Sequence, residues 1–456
     1  METLDDVLDN LLGEQTDTGI LDPANYYLDN FPYNVTIAAS QGVTAGVLLD
    51  ALVNTNVKKT IATTNVTDNY GCFKQKDSLV HISGMTLTQP VPVDPEFLSD
   101  FYNEGERIRA KTSKGSYKEH LFFRKEELTE KINGWIKEGK LKDSDFGSPK
   151  NLQEYRDLLY KESGEAASFK ITWCKGILED VYGGTYNVRG KKWLDMSAGW
   201  GDRLLASIVM QTHYHGFDPN GRLAGGYERI IEEFPDKNKD RKVEITPFEF
   251  ATLEDNHYDF MLSSPPFFTI EKYSEDKGQS VVNYNTKEKW ITEFMYRSLM
   301  KIWRALKVGG YLMLHFAENK VTTGTVVPVL HFIYRFLPGS MLEKVIVTSQ
   351  YSMLGPSTSR SQVPVWVWKK SHTSGLNKFC NLPFNNNANP AIIEGLVRRY
   401  IHEYVMDMDL FDHFAKGAPT IEKYKEYRKH EKYVTQFVIP RSLTNINAVY
   451  PFILAQ

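Results

Sequence analysis

Apolar and polar positions change period several times along this chain. From Lys170 to Lys370, short apolar runs alternate with segments of helical spacing. Lys191–Met196, Tyr214–Phe217, Lys242–Pro247, Tyr258–Ser263, Tyr311–Phe316, Lys344–Ser349 and Val363–Trp368 read as strands. Asp202–Met210, Gly225–Phe234, Lys287–Leu306 and Val326–Phe336 read as helices, the third ending before Gly309-Gly310. Compact apolar runs suit strands buried on both faces, while repeats of three and four suit helices. The alternation predicts a mostly parallel sheet covered on both faces. The last two strands follow one another without a helix, which predicts an antiparallel hairpin at one edge.

Outside that segment the pattern differs. Residues 1–95 read as an accessory region, with an amphipathic helix at Asp5–Leu12 and short strands and turns over Val35–Val93. Pro90-Val-Pro-Val-Asp-Pro95 reads as a linker, because proline stops both helices and strands. Residues 96–165 predict a charged helical connector, 166–371 an α/β domain, and 372–456 a helical extension. The extension opens on the Asn-rich Asn385–Pro390 and includes helices at Ala391–Met406 and Thr420–Lys432.

Length supports this division, since 456 residues exceed one typical core. The 41% hydrophobic and 24% charged content is that of an ordinary soluble protein. No apolar run reaches the roughly 18 residues of a membrane span; the best, Val326–Leu337, is interrupted by His331 and Arg335. Met1–Leu12 is acidic and lacks the features of a signal peptide, so an intracellular location and no membrane partner are expected. Cys72, Cys174 and Cys380 form no CxxC pair and indicate neither a disulfide framework nor a metal site. A net charge of −3 argues against non-specific coating of nucleic acid but leaves room for a local basic groove. The basic stretch Arg107–Lys118 is either a solvated face or a phosphate-contacting patch.

Candidate chemistry gathers at strand ends. The first strand runs into Asp195-Met-Ser-Ala-Gly-Trp-Gly-Asp-Arg203, a small-residue loop before a helix. Gly199 and Gly201 allow close approach of a ligand, and Ser197 and Ala198 keep the loop small. The second strand ends at Asp218, placed to take a ribose diol, and the third at Phe248-Glu249, an apolar face and a carboxylate suited to an adenine. Three such strand ends point to a nucleoside-containing cofactor. Leu204 stands where a dinucleotide fingerprint needs its third glycine, and there is no Walker Gly-Lys-Ser/Thr.

The fourth strand ends at Leu262-Ser-Ser-Pro-Pro-Phe-Phe268. An exocyclic amine or amide nitrogen is a poor nucleophile because its lone pair is delocalised. Two acceptors, one per N–H, favour pyramidalisation; the Ser264 hydroxyl and the Pro265 carbonyl can supply them. Pro265 and Pro266 restrict the loop, and Phe267 offers a ring to stack on a planar substrate.

The loop Asp195–Arg203 resembles motif I of class I S-adenosylmethionine (SAM) dependent methyltransferases, and Ser264-Pro-Pro-Phe267 resembles the catalytic motif of those acting on planar amino groups. Ala167–Thr172, with Phe169 and Lys170, resembles the segment that closes over the methionine end of the cofactor. The likeness covers Ala167 to about Lys370 and extends to methyltransferases of large DNA viruses and phages. It implies a Rossmann-like, mostly parallel seven-stranded sheet with an antiparallel edge hairpin, SAM as cofactor, and DNA or RNA as substrate, methylated at adenine N6 or cytosine N4. Serine stands where Asp or Asn is commoner, which leaves the base open. A glutamine-amide methyltransferase is the alternative, against which Ser264 speaks. A degenerate scaffold subunit is another, against which Asp195, Gly199, Gly201 and Asp218 speak.

Other features are expected to be structural. His213 and His215 lack a third ligand nearby, so no metal is expected. Trp366 and Trp368 share one strand face and should pack in the core. The aperiodic stretch from Glu271 to Asn285 is either a lid or a surface loop.

Overall fold

Side chains alternate across a strand, so a strand buried on both faces feeds two cores. Trp193, Phe260, Leu262, Met313, Val365 and Val367 enter one apolar cluster. Their neighbours Leu194, Met261, Leu312, Leu314, Trp366 and Trp368 enter another on the opposite face. The two tryptophans of the last strand thus pack in the core, as expected. In the computed structural model the described residues are 23–63, 78–112, 117–142, 147–164, 166–274, 278–317, 324–337, 339–350 and 361–371. The expected helices at Asp5–Leu12, Ala391–Met406 and Thr420–Lys432 lie outside them, as do Cys72 and Cys380.

The strands are β1 (Asn56–Thr63), β2 (Ser78–Thr86), β3 (Lys111–Thr112), β4 (Lys192–Asp195), β5 (His213–Asp218), β6 (Arg241–Ile245), β7 (Tyr258–Ser263), β8 (Glu271–Lys272), β9 (Leu306–His315), β10 (Ser340–Gln350) and β11 (Ser361–Lys370). Nine of them form one sheet in the order β1-β2-β10-β11-β9-β7-β4-β5-β6. Strands β6, β5, β4, β7 and β9 are mutually parallel, and β11 is antiparallel to β9 and β10. The seven strands from β4 onward, leaving aside short β8, therefore run third-second-first-fourth-fifth-seventh-sixth. This is the class I methyltransferase order, a Rossmann-like sheet with the predicted antiparallel hairpin; that hairpin is not at an edge, because β2 pairs with β10 and, with β1, brings the expected seven strands to nine. Chain order reverses beside β4, so its carboxyl end and that of β7 bound the crevice where open α/β sheets bind ligands.

Helices α7 (Ile171–Tyr182), α8 (Asp202–Val209) and α9 (Ala224–Glu233) supply buried residues to the first core. The second is closed by α11 (Val326–Phe336) and by a long helical run. That run is α-helical at Lys287–Lys289, π-helical over Trp290–Tyr296, and α-helical again in α10 (Arg297–Ala305). It stops at Ala305, one residue before the expected Leu306, where β9 begins.

The N-terminal part differs from its sequence pattern. Residues 33–53 form helices α2 (Tyr33–Ser40) and α3 (Ala45–Val53) after α1 (Pro23–Asp29), where short strands were expected. Thr44 caps α3 by accepting from the Val47 amide, and Ala45, Leu48 and Leu52 are buried at helical spacing. The β-branched residues that suggested strands lie mostly off this buried stripe. The hairpin β1–β2 does form, and β2 extends the main sheet by pairing parallel to β10.

Helices α4 (Asp100–Arg107), α5 (Lys125–Lys137) and α6 (Pro149–Ser163) occupy the connector. Its charges are not all solvated. Arg107 is buried and bonds Asp100 at 2.5 Å, which removes it from the basic surface expected around it. Arg156, also buried, pairs with Asp100 and Glu104 and lies over the rings of Phe97 and Tyr160. Among the described residues no single helix is long and apolar enough to cross a membrane.

Candidate active site

The cleft is built from strand ends upward. At the end of β4 the Asp195 carboxylate is fully buried and gathers the site around itself. It accepts from Arg203 Nε (2.7 Å), Tyr214 Oη (2.5 Å), Ser263 Oγ (2.6 Å) and the Ser197 amide (3.1 Å). Four donors from the first loop, the first helix, the second strand and the fourth strand meet on one side chain. Asp195 is therefore the internal clamp of the site rather than a wall of the cleft.

The loop after β4 turns on Gly199 and Gly201, both at positive φ (+63° and +97°). The Gly199 amide donates to Asp218 at 2.9 Å, and Tyr227 Oη donates to the Gly199 carbonyl. The Ala198 amide donates to the Phe217 carbonyl at 2.7 Å, tying this loop to β5. Gly201 faces away from the cleft. A Cβ there would lie 2.9 Å from Ile230 Cδ1 and 3.5 Å from Asn103 Nδ2. Its lack of a side chain thus serves the packing of α8 on α9 and α4, and a larger residue would strain that contact instead of filling the ligand space. Gly201→Ala is expected to lower the unfolding midpoint by disturbing this packing, as thermal melting would show; an unchanged midpoint would count against it.

Of the residues singled out in the sequence, Phe169, Ser197, Gly199, Asp218, Phe248, Glu249, Ser264, Pro265, Pro266 and Phe267 line one cleft. Asp195, Ala198 and Gly201 lie behind it, and Lys170, whose carbonyl accepts from the Trp173 amide, is the residue before α7 and is not in the lining. Asp218 accepts from the Gly199 and Asn220 amides, yet burial pushes its carboxyl up to about 6. Phe248 packs edge-on against Phe217, and Glu249 accepts from Tyr284 Oη at 2.9 Å. Burial raises the Glu249 carboxyl above the usual range.

Among the lining residues not singled out as site residues, four carry polar groups that bear on the site. Asn220 is buried, and its Nδ2 has no hydrogen-bond partner among the described residues. A buried donor left unpaired is costly, and Asn220 also lines the cleft, so it is a candidate to meet an acceptor on a ligand there. Arg203 holds Asp195 and the Ser197 carbonyl and lies 5.2 Å over the Phe169 ring, which orients the segment before α7. Glu271 accepts from the Ala167 amide at 3.3 Å and from Tyr273 Oη at 2.6 Å. The fourth, His315, sits at the end of β9, 3.1 Å from Ser264 Oγ. Asn220 had a sequence signal, two residues past Asp218; His315 had none.

The stretch after the Ser-Pro-Pro loop is tied down over the cleft. Strand β8 pairs antiparallel with β3 of the connector, and Tyr273 packs edge-on against Trp200. Gly278, Gln279 and Ser280 line the cleft, and a Cβ on Gly278 would lie 2.9 Å from Pro219 Cβ. His215, by contrast, is engaged by Tyr258 and Glu244. Among the described residues no group of three His, Cys, Asp or Glu could hold a metal ion.

Chemically, the cleft offers two regions. One is a slot with the Asp218 carboxylate, the unpaired Asn220 amide and the Phe248 ring, a set that fits a nucleoside. The other is the Ser264–Phe267 turn. There the Phe268 amide donates to the Pro266 carbonyl at 2.9 Å, while among the described residues no donor reaches the Pro265 carbonyl. Ser264, Pro265 and Phe267 thus line the same space.

No protein-family model matches the chain, and no curated protein matches its sequence. Solved structures do match in part. A SAM-dependent methyltransferase from Methanosarcina mazei is 16% identical, covers 41% of this chain and 96% of its own, with a TM-score of 0.30. A TehB-like SAM-dependent methyltransferase from Corynebacterium glutamicum is 18% identical over 49% of this chain and 97% of its own, at a TM-score of 0.28. A tRNA (m1A58) methyltransferase from Aquifex aeolicus is 13% identical over 43% of this chain and 68% of its own, at 0.27. Likeness at this level adds no argument of its own, and the strand order rests on the pairing within this chain.

Proposed function

We propose that this chain is a SAM-dependent methyltransferase acting on an exocyclic amino group of a nucleic-acid base, adenine N6 or cytosine N4. The observation that carries this reading is the Ser264-Pro265-Pro266-Phe267 turn at the end of β7, opening into the same cleft as Gly199, Asp218 and Phe248. The residues of the slot fit the cofactor: Asp218 would take its ribose hydroxyls, Asn220 Nδ2 would donate to it, and Phe248 would pack on its adenine. When bound, SAM supplies the electrophilic methyl group. Phe267 stacks on the target base, and Ser264 Oγ and the Pro265 carbonyl accept hydrogen bonds from the two amine N–H groups. Those acceptors are held by the proline turn and strengthen as the nitrogen becomes tetrahedral and positive. A base within a duplex has to leave the stack to reach them.

Methyl-labelled SAM incubated with total DNA, RNA and protein is the direct test. Label in a nucleic-acid pool, found as N6-methyladenine or N4-methylcytosine after digestion, is expected. Label confined to glutamine in the protein pool would replace this reading with the amide one. Absence of SAM binding in a calorimetric titration would overturn it altogether.

Asp218 gives a second check. Removing a charged acceptor should weaken SAM binding by roughly 1.5–3 kcal/mol in Asp218→Ala. The carboxyl titrates at about 6, raised by burial, and the ionised form is the acceptor. Below that value a proton must be displaced, so wild-type affinity should fall as pH drops through 6. Asp218→Asn should show no such slope in the same titrations; identical slopes in both would exclude Asp218 as the contact.

A further inference from the structure

Serine poses a problem at position 264. A hydroxyl can donate as readily as it accepts, whereas pyramidalising an amine needs an acceptor. The structure carries an answer at the end of β9. His315 Nδ1 lies 3.1 Å from Ser264 Oγ, and its Nε2 lies 3.0 Å from Thr348 Oγ1. Thr348 Oγ1 in turn donates to the Val363 carbonyl at 3.2 Å.

A carbonyl only accepts, so the end of this chain of bonds sets its direction. The Thr348 hydrogen goes to Val363, which leaves the Thr348 oxygen to accept from a hydrogen on His315 Nε2. Burial, with the nearby charge of Arg203, holds the imidazole at about 3, so the ring is neutral at neutral pH. A neutral ring protonated on Nε2 has a bare lone pair on Nδ1, and the Ser264 hydroxyl donates to it. The one hydrogen of Ser264 is then committed, and the rest of the oxygen is left to accept.

The ring is also held in place. His315 is 5% exposed, and Thr348 is fully buried. Phe169 meets the imidazole edge-on at 4.8 Å, and Trp173 and Phe267 lie at 5.6 and 6.2 Å between ring centres. Two of these rings come from the segment before α7 and from α7 itself, and the third is the ring offered to the substrate.

We infer that His315 is a positioning residue, which through the chain Ser264–His315–Thr348–Val363 makes the Ser264 hydroxyl an obligate acceptor for the target amine. This rests on the amino-methyl transfer reading above. It also gives a physical reason why serine can stand where a carboxylate or amide oxygen would accept unaided.

Two experiments test it. The first needs no substrate. Long-range ¹H–¹⁵N correlation spectra of the histidine-labelled full chain, with the His315 signals assigned by their loss in His315→Asn, report the tautomer. A hydrogen on Nε2 and a bare Nδ1 are expected, with the Nδ1 shift moving towards that of an unbonded nitrogen in Ser264→Ala. A hydrogen on Nδ1, or a charged ring at neutral pH, would overturn the inference.

The second uses single-turnover transfer from labelled SAM to mixed-sequence single-stranded DNA and RNA oligonucleotides. His315→Leu removes the acceptor and should slow transfer by about 10–100-fold, the range found when a group orienting a metal ligand is lost. His315→Asn can place an oxygen near the Nδ1 position and should recover much of the rate. KM for the oligonucleotide should change little in either. The double variant His315→Leu with Ser264→Ala should be no slower than Ser264→Ala alone. A wild-type rate in His315→Leu, or a loss in the double variant equal to the product of the two single losses, would overturn the role of His315. A wild-type rate in Ser264→Ala would overturn the amino-transfer reading instead, so the two failures are distinguishable.

Discussion

Ser264→Ala should leave a folded protein that binds SAM and transfers methyl groups on the order of 10²–10³ more slowly, the cost of removing one preorganised group from a reacting centre, or about 2.7–4 kcal/mol. The substitution deletes one oxygen at a partly exposed position of the turn. Neighbouring contacts that hold the turn do not pass through it: Ser263 Oγ bonds Asp195, and Trp193 Nε1 donates to the Leu262 carbonyl at 2.9 Å. The loss should appear in the single-turnover rate at saturating SAM and nucleic acid, with little change in cofactor affinity. Phe267→Ala removes the stacking surface and should instead weaken substrate binding, by roughly 1–3 kcal/mol. Equal rates in Ser264→Ala and wild type would show that this hydroxyl takes no part in the transition state.

Asp195→Ala should have the largest effect on stability. The carboxylate is fully buried, and Arg203 beside it is nearly so. Removing one partner of such a pair strands the other charge in the interior, at a cost of about 3–5 kcal/mol. Tyr214 and Ser263 lose their acceptor in the same step. Chemical denaturation should register the loss, and SAM binding should fall with it because the loop after β4 loses its anchor. Asp195→Asn keeps the volume and one acceptor oxygen and should recover part of the stability. A denaturation midpoint close to that of wild type in Asp195→Ala would mean that the four donors find other partners.

These two residues show how differently the chemistry was legible. Ser264 could be singled out directly, because a Ser-Pro-Pro-Phe turn at a strand end has few purposes, and the structure places it in the lining of the cleft. Asp195 was legible in position but not in role. A carboxylate at the end of a first strand reads as a ligand contact, and only the approach of Arg203, Tyr214 and Ser263 makes it the clamp of the site. Gly201 is similar. Its glycine signals a close approach, but the partner is Ile230 rather than a cofactor. Asn220 lay in view beside Asp218, yet an unpaired buried amide can be recognised only when its surroundings are known. His315 was invisible, because the end of β9 meets Ser264 and Thr348 across 51 and 33 residues of chain.

What the sequence by itself determined is the α/β core. Seven apolar runs, four intervening helical patterns and one strand pair without a helix leave few ways to bury both faces of a sheet. The seven expected strands and their antiparallel hairpin are present, with boundaries shifted by a few residues, and β1 and β2 extend the sheet beyond the hairpin. It also marked the candidate residues at strand ends, since glycines, a terminal carboxylate and paired prolines act through local backbone geometry, and most of them line one cleft. The N-terminal helices and the buried charges of the connector were decided in the tertiary structure. There, Val and Thr fold into helices because Leu48 and Leu52 have a core to enter, and Arg156 is buried because Asp100, Glu104 and Tyr160 come together around it. Local propensity is worth a few tenths of a kcal/mol per residue, whereas burial of one large side chain is worth about 1.5–3 kcal/mol. Where the two disagree, contacts between distant segments prevail, and no reading of neighbours along the chain can supply them.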